Sequence, residues 1–253
     1  MKMVQSELVR PDERVDSLER GGLRIIQSPR AFSFSLDAVL LAHYASVANY
    51  DTVMDLCTGS AVIPLLLSTR AKGLKQVGLE LNAEAAERAE RSVLLNDLTG
   101  SIEIIAGDVR KVKAVLRGRR FSLVTVNPPY LPLGQGVASN CDARKMARHE
   151  VDVTLREVVS AAAYLLATGG RLAMVHRAFR LTDILVVLRE HRLEPKRLRL
   201  VHHKVNTEAR LVLIESVKDA KAELKVAPPL YVHQENGALS LELQELYAGG
   251  ELR

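Results

Sequence analysis

The sequence contains no tryptophan, and aromatic residues supply only 4% of its 253 positions. A core with so few rings must be built from aliphatic side chains, which suits helices packed on a sheet. With 47% hydrophobic and 26% charged residues, the chain has enough apolar side chains for one sizeable core. We therefore expect a single globular unit with at most a small appendage.

Cysteine is equally scarce. Cys57 and Cys141 are the two present, and no Cys-x-x-Cys or Cys/His cluster occurs. This excludes a disulfide framework and a structural zinc site, so we expect no metal and a reducing, cytoplasmic environment. No apolar run approaches the length of a membrane span, and the first twenty residues are rich in charges. Neither membrane insertion nor secretion is therefore expected.

Acidic residues are fewer than basic ones, 30 against 35, which gives a formal net charge of +5. The basic residues are spread along the chain and are not gathered in a tail. This balance permits a polyanionic partner such as a nucleic acid without identifying one.

Short apolar runs alternate with segments of helical period from residue 51 onward. The five runs are Thr52–Leu56, Lys75–Glu80, Ser101–Ala106, Phe121–Val126 and Arg171–Val175. Alternation of this kind predicts a parallel sheet with helices on both faces. Two further runs, 197–203 and 209–217, flank a polar turn and predict an antiparallel hairpin. The expected fold is thus α/β, with seven strands, mostly parallel, and an antiparallel strand at the end.

Apolar stripes at helical spacing predict the covering helices. One helix follows Asn82 as its cap, one covers 155–166, one covers 181–188, and one covers 36–47. We expect Gly169 and Gly170 to end the second of these helices. The stretch before residue 51, with a small strand at 23–27, is interpreted as an N-terminal flap.

Three predicted strands end in an acid. Asp55 is followed by a small-residue turn at Gly59, Glu80 closes the second strand, and Asp108 follows the third. Carboxyl ends of parallel strands share one edge, where nucleotide-like cofactors lie against backbone N–H groups and an acid holds a ribose. The alternative is that the glycine only turns the chain and that each acid is an exposed loop residue.

The segment Asn127-Pro128-Pro129-Tyr130 directly follows the fourth strand. Its prolines force an extended backbone and have no N–H. The groups that the segment can present to a ligand are therefore hydrogen-bond acceptors and the aromatic ring of Tyr130. The Asn127 side-chain oxygen and the Pro128 carbonyl can accept both hydrogens of a planar amine, while Tyr130 stacks on the base that bears it. This predicts alignment of an amine for methyl transfer without a strong base. A rigid exit from the strand is the alternative.

A basic cluster follows this segment, and it suits phosphate contacts near a flipped nucleotide through Arg144 and Arg148. Charge runs are more often solvated faces, and that alternative applies here and to Arg177 and Arg180. The pair His202-His203 is interpreted as strand surface and not as a metal site.

Four segments together resemble the class I methyltransferases, and more narrowly the bacterial valine-tRNA adenine-N6 methyltransferase family. They are Phe34–Leu41, Asp55–Gly59 with Ile63–Leu67, Asn127–Tyr130 and Ala147–Glu150. The resemblance spans nearly the whole chain and implies a Rossmann-like methyltransferase domain over 51–253. Residues 1–50 would then form a flap and helix that cover the cofactor site.

The same resemblance implies S-adenosylmethionine as cofactor and a transfer-RNA adenosine next to the valine anticodon as target. The implied cofactor-binding residues are Asp55, Cys57, Gly59, Glu80, Leu81, Asp108, Val109 and Asn127, with Leu81 and Val109 against the adenine ring. Asn127, Pro128, Pro129 and Tyr130 would be the catalytic residues. The sequence departs from the usual pattern at Cys57 and Ala61, where glycine is common.

Several functions remain open at this stage. A glutamine methyltransferase that acts on release factors and several ribosomal RNA or DNA amino-methyltransferases share the Asn-Pro-Pro-Tyr segment. A non-enzymatic S-adenosylmethionine-binding RNA chaperone is a further alternative. The expected partner is tRNA, and the protein would act as a monomer or a homodimer.

Overall fold

The structure, a computed structural model, describes residues 8–29, 35–129, 153–248 and 250. Its strands are β1 (Arg14–Ser17), β2 (Arg24–Gln27), β3 (Thr52–Leu56), β4 (Lys75–Glu80), β5 (Ile102–Ala106), β6 (Phe121–Val126), β7 (Leu166–Arg177), β8 (Leu193–His202), β9 (Ala209–Lys218), β10 (Lys225–Val226) and β11 (Leu230–Tyr231). Its helices are α1 (Leu36–Tyr44), α2 (Val62–Leu67), α3 (Ala83–Leu95), α4 (Val112–Val115), α5 (Leu155–Leu165), α6 (Leu181–Glu190) and α7 (Leu241–Tyr247). Tyr130, Cys141, Arg144 and Arg148 lie outside the described residues.

The main sheet confirms the predicted architecture. Among the described residues nine strands form it, in the order β10-β8-β9-β7-β6-β3-β4-β5, with β11 also paired to β8. The strands β3 to β7 are parallel to their neighbours, and β9 runs antiparallel between β7 and β8. Seven strands are long, as expected, and the two-residue strands β10 and β11 extend the edge. The chain reverses its strand order between β3 and β6, which is where open α/β sheets bind ligands.

Two apolar clusters fill the two faces of the sheet. One joins α1, α2 and α3 to Val53 and Leu123, and the other joins α5 and α6 to Met54 and Val124. Adjacent residues of a strand point to opposite faces of the sheet. Because both faces are covered, most residues of β3 and β6 are apolar. The carboxyl edge is therefore held between two packed layers.

Side-chain caps start two of the helices, and the cap expected at Asn82 is confirmed. Asn82 accepts the N–H of Ala85 at 2.9 Å and starts α3. Thr154 and Glu157 form a reciprocal capping box at the start of α5. Each pair satisfies backbone donors that the first turn of a helix leaves open. Because α5 follows β6 and runs back across the sheet, its capped end lies at the carboxyl edge.

The hairpin formed by β1 and β2 is anchored to α3. The Glu13 carboxylate receives Arg88 Nε at 3.1 Å and Arg91 Nη1 at 2.5 Å, and its side chain is only 2% exposed. Hydrogen bonding from Arg91, helped by Arg88, holds the pKa of Glu13 at about 2. Helix α1 packs on α2 and β7 instead. The role of residues 1–50 as a cover over the cofactor site stays a prediction.

Two predicted helix ends are wrong. The helix over 155–166 ends at Leu165, and Gly169 and Gly170 lie inside β7, because Leu166 is already extended with φ −74° and ψ 138°. The helix over 36–47 ends at Tyr44. There the guanidinium of Arg70 binds the carbonyls of Ala42 and Ala45 at 2.5 and 2.7 Å. A side chain distant in sequence thus terminates α1.

In the part of the chain that the structure describes, no helix is both long and apolar enough to cross a membrane.

Candidate active site at the carboxyl edge

The turn after β3 has an unusual backbone. Cys57, Gly59 and Ala61 have φ values of 58°, 56° and 65°, in the left-handed region that glycine adopts without steric cost. The two positions where glycine is common thus keep a glycine-like conformation with a side chain present. Hydrogen bonds hold the turn, from Thr58 N–H to the Leu79 carbonyl and from Ala61 N–H to the Thr58 carbonyl, each 3.0 Å. The turn is therefore fixed against β4.

Glu80 joins the turns after β3, β4 and β5. Its carboxylate accepts the N–H of Gly59 at 2.8 Å and that of Asn82 at 3.0 Å. Its main-chain carbonyl accepts the N–H of Gly107 at 2.8 Å. A carboxylate provides about four acceptor positions, so the same group can also receive hydroxyl donors. Glu80 therefore sets the relative position of all three turns.

The three acids expected from the sequence converge on Cys57. Burial raises the pKa of the Cys57 thiol to about 12, and the carboxylates of Glu80, Asp55 and Asp108 contribute to the rise. The thiol is consequently neutral at physiological pH and is not a nucleophile. The cofactor-binding role expected for Cys57 stays a prediction.

Asp55 is the most deeply placed acid of the site. It is fully buried, and its Oδ1 accepts the Thr125 hydroxyl at 2.7 Å, whereas its Oδ2 has no hydrogen-bond partner among the described residues. Burial raises the pKa of Asp55 from 3.8 to about 7; the nearby hydroxyls of Thr58 and Thr125 oppose this rise, and Glu80 adds to it. An orphaned buried oxygen of this kind is suited to a donor that arrives with a ligand.

Asp55→Asn tests that burial. Because the folded pKa of Asp55 lies above its unfolded value, its stabilising contribution is complete below pH 4 and is lost as the pH rises toward 7. We expect the unfolding free energy of the cofactor-free wild type to fall across this window relative to the Asn variant. Urea unfolding of both proteins between pH 4 and 8 measures the difference. Parallel pH profiles would contradict a raised pKa.

Gly78 of β4 allows the cofactor turn to approach the sheet. A Cβ at this position would lie 2.8 Å from Thr58 Cγ2, 2.9 Å from Thr58 Oγ1 and 2.9 Å from Ile104 Cδ1. Contacts below 3.0 Å cannot be accommodated without movement, and two of the three atoms that would have to move belong to Thr58 in the turn. The sequence signal for this was available, since an isolated glycine inside a strand often marks a close approach.

Gly78→Ala should therefore weaken cofactor binding and lower stability by about 1–3 kcal/mol, the usual cost of overpacking. Calorimetric titration with S-adenosylhomocysteine and thermal unfolding measure the two effects. Gly100→Ala is the matched control, because nothing lies within 4 Å of a Cβ built there. Equal affinities for the two variants would show that Gly78 does not support the turn.

Asp108 does not present an open carboxylate. Arg110 binds it through its guanidinium, Nε at 3.0 Å to each oxygen and Nη2 at 2.6 Å to Oδ2. The Arg110 N–H also donates to Oδ1 at 2.9 Å. Hydrogen bonding from Arg110 lowers the pKa of Asp108, which keeps it ionised. An adenine amino group at Asp108 must share these oxygens with the guanidinium.

The two apolar residues expected against the adenine differ in accessibility. Leu81 is 40% exposed directly after Glu80, whereas Val109 is 4% exposed and belongs to the core beneath the sheet. The structure therefore offers Leu81 as a surface for a ring, and Val109 mainly as support for the loop.

Asn127 emerges beside the cofactor turn. Val126 is paired with Leu56, so Asn127 and Cys57 each directly follow a paired residue at the carboxyl ends of neighbouring strands. Asn127 is half-buried, Pro128 is buried and Pro129 is exposed. The expected amine-binding residues that the structure describes thus border the expected cofactor residues. Across all the residues that the structure describes, no group of three or more His, Cys, Asp or Glu side chains is placed to hold a metal ion.

Sequence reasoning missed Thr125 and Thr58, the hydroxyl residues around Asp55. Thr125 interrupts an otherwise apolar strand and is fully buried. A polar residue in the middle of such a strand is a signal that it partners another buried group, and it was available in the sequence.

Comparison with known proteins gives one family match and several relatives. The family described as the methyltransferase small domain matches residues 23–191. A curated tRNA1(Val) (adenine(37)-N6)-methyltransferase of Porphyromonas gingivalis is 28% identical over 197 residues, 76% of this chain and 76% of that protein. A protein of the same name from Aeromonas salmonicida is 28% identical over 73% of this chain and 76% of its own length.

Solved structures agree on the fold. A predicted O-methyltransferase from Agrobacterium tumefaciens superposes with a TM-score of 0.68 at 22% identity, covering 86% of this chain and 99% of that one. A Thermus thermophilus 16S rRNA N2 methyltransferase in complex with AdoMet and guanosine gives a TM-score of 0.58 at 18% identity, covering 83% of this chain and 51% of that one.

Proposed function

The chain belongs to the methyltransferase small domain family and is an S-adenosylmethionine-dependent methyltransferase, and from this premise we propose that it methylates the exocyclic N6 amino group of an adenine in tRNA. The observation that supports this most directly is the position of Asn127 beside the cofactor turn, at the level of Cys57. An acceptor placed there can hold an amino group at the edge where the methyl donor binds.

The residues around the turn fit the cofactor. Nothing lies within 4 Å of a Cβ at Gly59, so space opens above the turn. Below it, Asp55 offers an oxygen that has no hydrogen-bond partner within the described part of the chain. We assign Asp55 and Gly59 to the methionyl part, Glu80 to the ribose, and Asp108 with Leu81 to the adenine. When bound, S-adenosylmethionine supplies an electrophilic methyl group on a sulfonium.

The chain's own contribution to transfer is alignment. In this proposal the Asn127 side-chain oxygen and the Pro128 carbonyl accept the two hydrogens of the substrate amine. The nitrogen lone pair is then oriented toward the turn after β3, where the cofactor binds. This orientation lowers the entropic cost of reaching the geometry for methyl transfer. The same two acceptors stabilise the positive charge that develops on nitrogen, and the proton leaves to water afterwards. Tyr130, outside the described residues, would stack on the base.

The finer identity of the target rests on the relatives. Proteins with 27–28% identity over most of this chain are named for adenine 37 of tRNA1(Val). We extend that target to this chain, with Arg144 and Arg148, both outside the described residues, as contacts to the RNA backbone. A net charge of +5 is compatible with such a partner.

Incubation of the purified protein with labelled S-adenosylmethionine and unmodified total tRNA tests the proposal. Nucleoside analysis by mass spectrometry should reveal N6-methyladenosine, and transcripts of single tRNAs should then locate it. Unlabelled tRNA together with methyl-glutamine in a release factor would show that the substrate is a protein and not tRNA. Binding to that protein should depend little on salt, whereas binding to tRNA should weaken steeply.

A further inference from the structure

An exposed aromatic ring stands next to the candidate active site. Phe179 is 78% exposed and lies in the short 3-10 helix of residues 178–180 that follows β7. The strand β7 is the neighbour of β6, with Val126 paired to Met174. Phe179 therefore lies at the same edge of the sheet as Asn127, and strand geometry places the two residues within roughly 15 Å of each other. A large apolar side chain left in water beside a catalytic edge is a candidate contact for substrate.

Basic residues of β7, β9 and the 3-10 helix itself lie at the same edge of the sheet as this ring. Arg177 ends β7 and pairs with Leu211 of β9, so the exposed Arg210 stands one residue beyond, level with residue 178. Arg180 follows the ring and is held by Asp183 at 2.6 Å.

The polar turn between β8 and β9 reaches the same edge, because β8 runs parallel to β7 and ends there. Lys204 lies in this turn, two residues after β8 ends at His202, so it stands at the same edge of the sheet as Arg210. We name this group the Phe179 platform, which consists of Phe179, Arg177, Arg180, Lys204 and Arg210.

We infer that the Phe179 platform binds the nucleotide next to the target base, with its base stacked on the ring and its phosphates against the cations. An aromatic face among cations is the arrangement by which proteins hold single-stranded nucleic acid without reading its sequence. A base that is methylated on its exocyclic amine must leave its stack, which exposes its neighbour to a new stacking partner. Phe179 is thus a positioning residue for the substrate strand. The inference rests on the proposed function, because it takes the target base to be part of RNA.

A shallow cavity lies next to the platform. A cavity of about 400 Å³ opens between the first turns of α5 and α6, and Arg156 and Arg180 lie on its wall. Both arginines are paired to acids of α6, Glu190 and Asp183, each at 2.6 Å. These ion pairs fix the positions of the two guanidinium groups. Asp183 also lines the cavity, so a phosphate that approaches Arg180 must share its guanidinium with that carboxylate.

Phe179→Ala is the first test. With an unmodified valine-tRNA anticodon stem-loop as probe, we expect the Kd and KM for RNA to rise about 5- to 100-fold, the range for loss of one stacking ring. The KM for S-adenosylmethionine and the turnover at saturating RNA should stay close to wild type. Phe179→Trp should restore RNA affinity, and Phe179→Leu should not, because leucine is apolar but has no ring.

Tyr50→Ala is the matched control. Tyr50 is 80% exposed, but it precedes β3 and so stands at the opposite edge of the sheet. This variant should bind the stem-loop as the wild type does. Arg210→Gln should lower the slope of log Kd against log salt by about 0.7, the value for one phosphate contact to a single strand.

The outcomes separate the inference from the function beneath it. Wild-type RNA affinity in Phe179→Ala, in a protein that does methylate RNA, would overturn the inference and leave the proposed function standing. A wild-type protein that labels release-factor glutamine and no RNA would overturn both. Equal losses in Phe179→Ala and Tyr50→Ala would overturn the assignment of the platform, because exposed rings at either edge would then act alike.

Discussion

Asn127→Ala is expected to lower turnover by about 10²- to 10³-fold, the usual loss when one preorganised polar group at a reacting centre is removed. The affinity for S-adenosylmethionine should change little, because the ligand contacts that we assign to the cofactor come from the turns after β3, β4 and β5. The backbone should keep its course, since Pro128 and Pro129 fix it independently of the Asn127 side chain. Single-turnover kinetics with saturating cofactor and RNA measure the effect.

Asn127→Asp serves as the matched variant, because it keeps acceptor oxygens at the same place. We expect it to retain more turnover than the Ala variant. The opposite result, a weaker affinity for S-adenosylmethionine with turnover preserved in Asn127→Ala, would move this side chain from the amine to the cofactor.

Glu80→Ala is expected to weaken S-adenosylmethionine binding by about 10²- to 10³-fold. Hydrogen bonds to a charged group contribute about 1.5–3 kcal/mol each, and a ribose offers two hydroxyl donors. The substitution also removes the acceptor of the Gly59 N–H, so the turn after β3 loses one of its hydrogen bonds to β4 and keeps the one from Thr58 to Leu79. Calorimetric titration measures the affinity, and turnover at saturating cofactor should remain within a few-fold of wild type.

Glu103→Ala is the control for that substitution. Glu103 lies on the adjacent strand β5, with a side chain that is 55% exposed and paired to Arg119 at 2.9 Å. Loss of such a surface ion pair costs little. Its cofactor affinity should equal that of wild type, and a similar loss in both variants would mean that overall charge, and not the Glu80 contacts, governs binding.

The sequence predicts the sheet well where strands are buried on both faces. β3, β4 and β6 begin and end at the expected residues, because each is a short, mainly apolar run with a polar or small residue at or directly after its end. It predicts helix ends less well. The end of α1 depends on Arg70, a residue of another segment whose contact no local pattern indicates. The two-residue strands β10 and β11 form only because the edge of β8 is available to them.

In the candidate site, too, the sequence predicts the features that follow from topology but not those that depend on contacts between segments. That Asp55, Glu80 and Asp108 meet at one edge was predictable from topology, since parallel strands share their carboxyl ends. That Arg110 occupies the carboxylate of Asp108 was not, because it depends on the path of a loop. The significance of Phe179 was also hidden in the sequence. A single phenylalanine in the segment Arg177-Ala178-Phe179-Arg180 forms no periodic pattern, and it is distinguished by its 78% exposure at the edge of the sheet where Asn127 lies.

The left-handed backbone at Cys57 and Ala61 has a kinetic consequence. Each such residue costs about 1–2 kcal/mol, and the hydrogen bonds within the turn and to β4 offset this cost in the folded protein. Because these bonds join groups of the protein itself, we expect the turn to keep its shape in the free enzyme and the cofactor to associate in one step without a slow rearrangement. Glycine at both positions would relieve the strain but would widen the range of loop conformations in the free enzyme. Capture of the cofactor would then become slower even though the folded chain had become less strained.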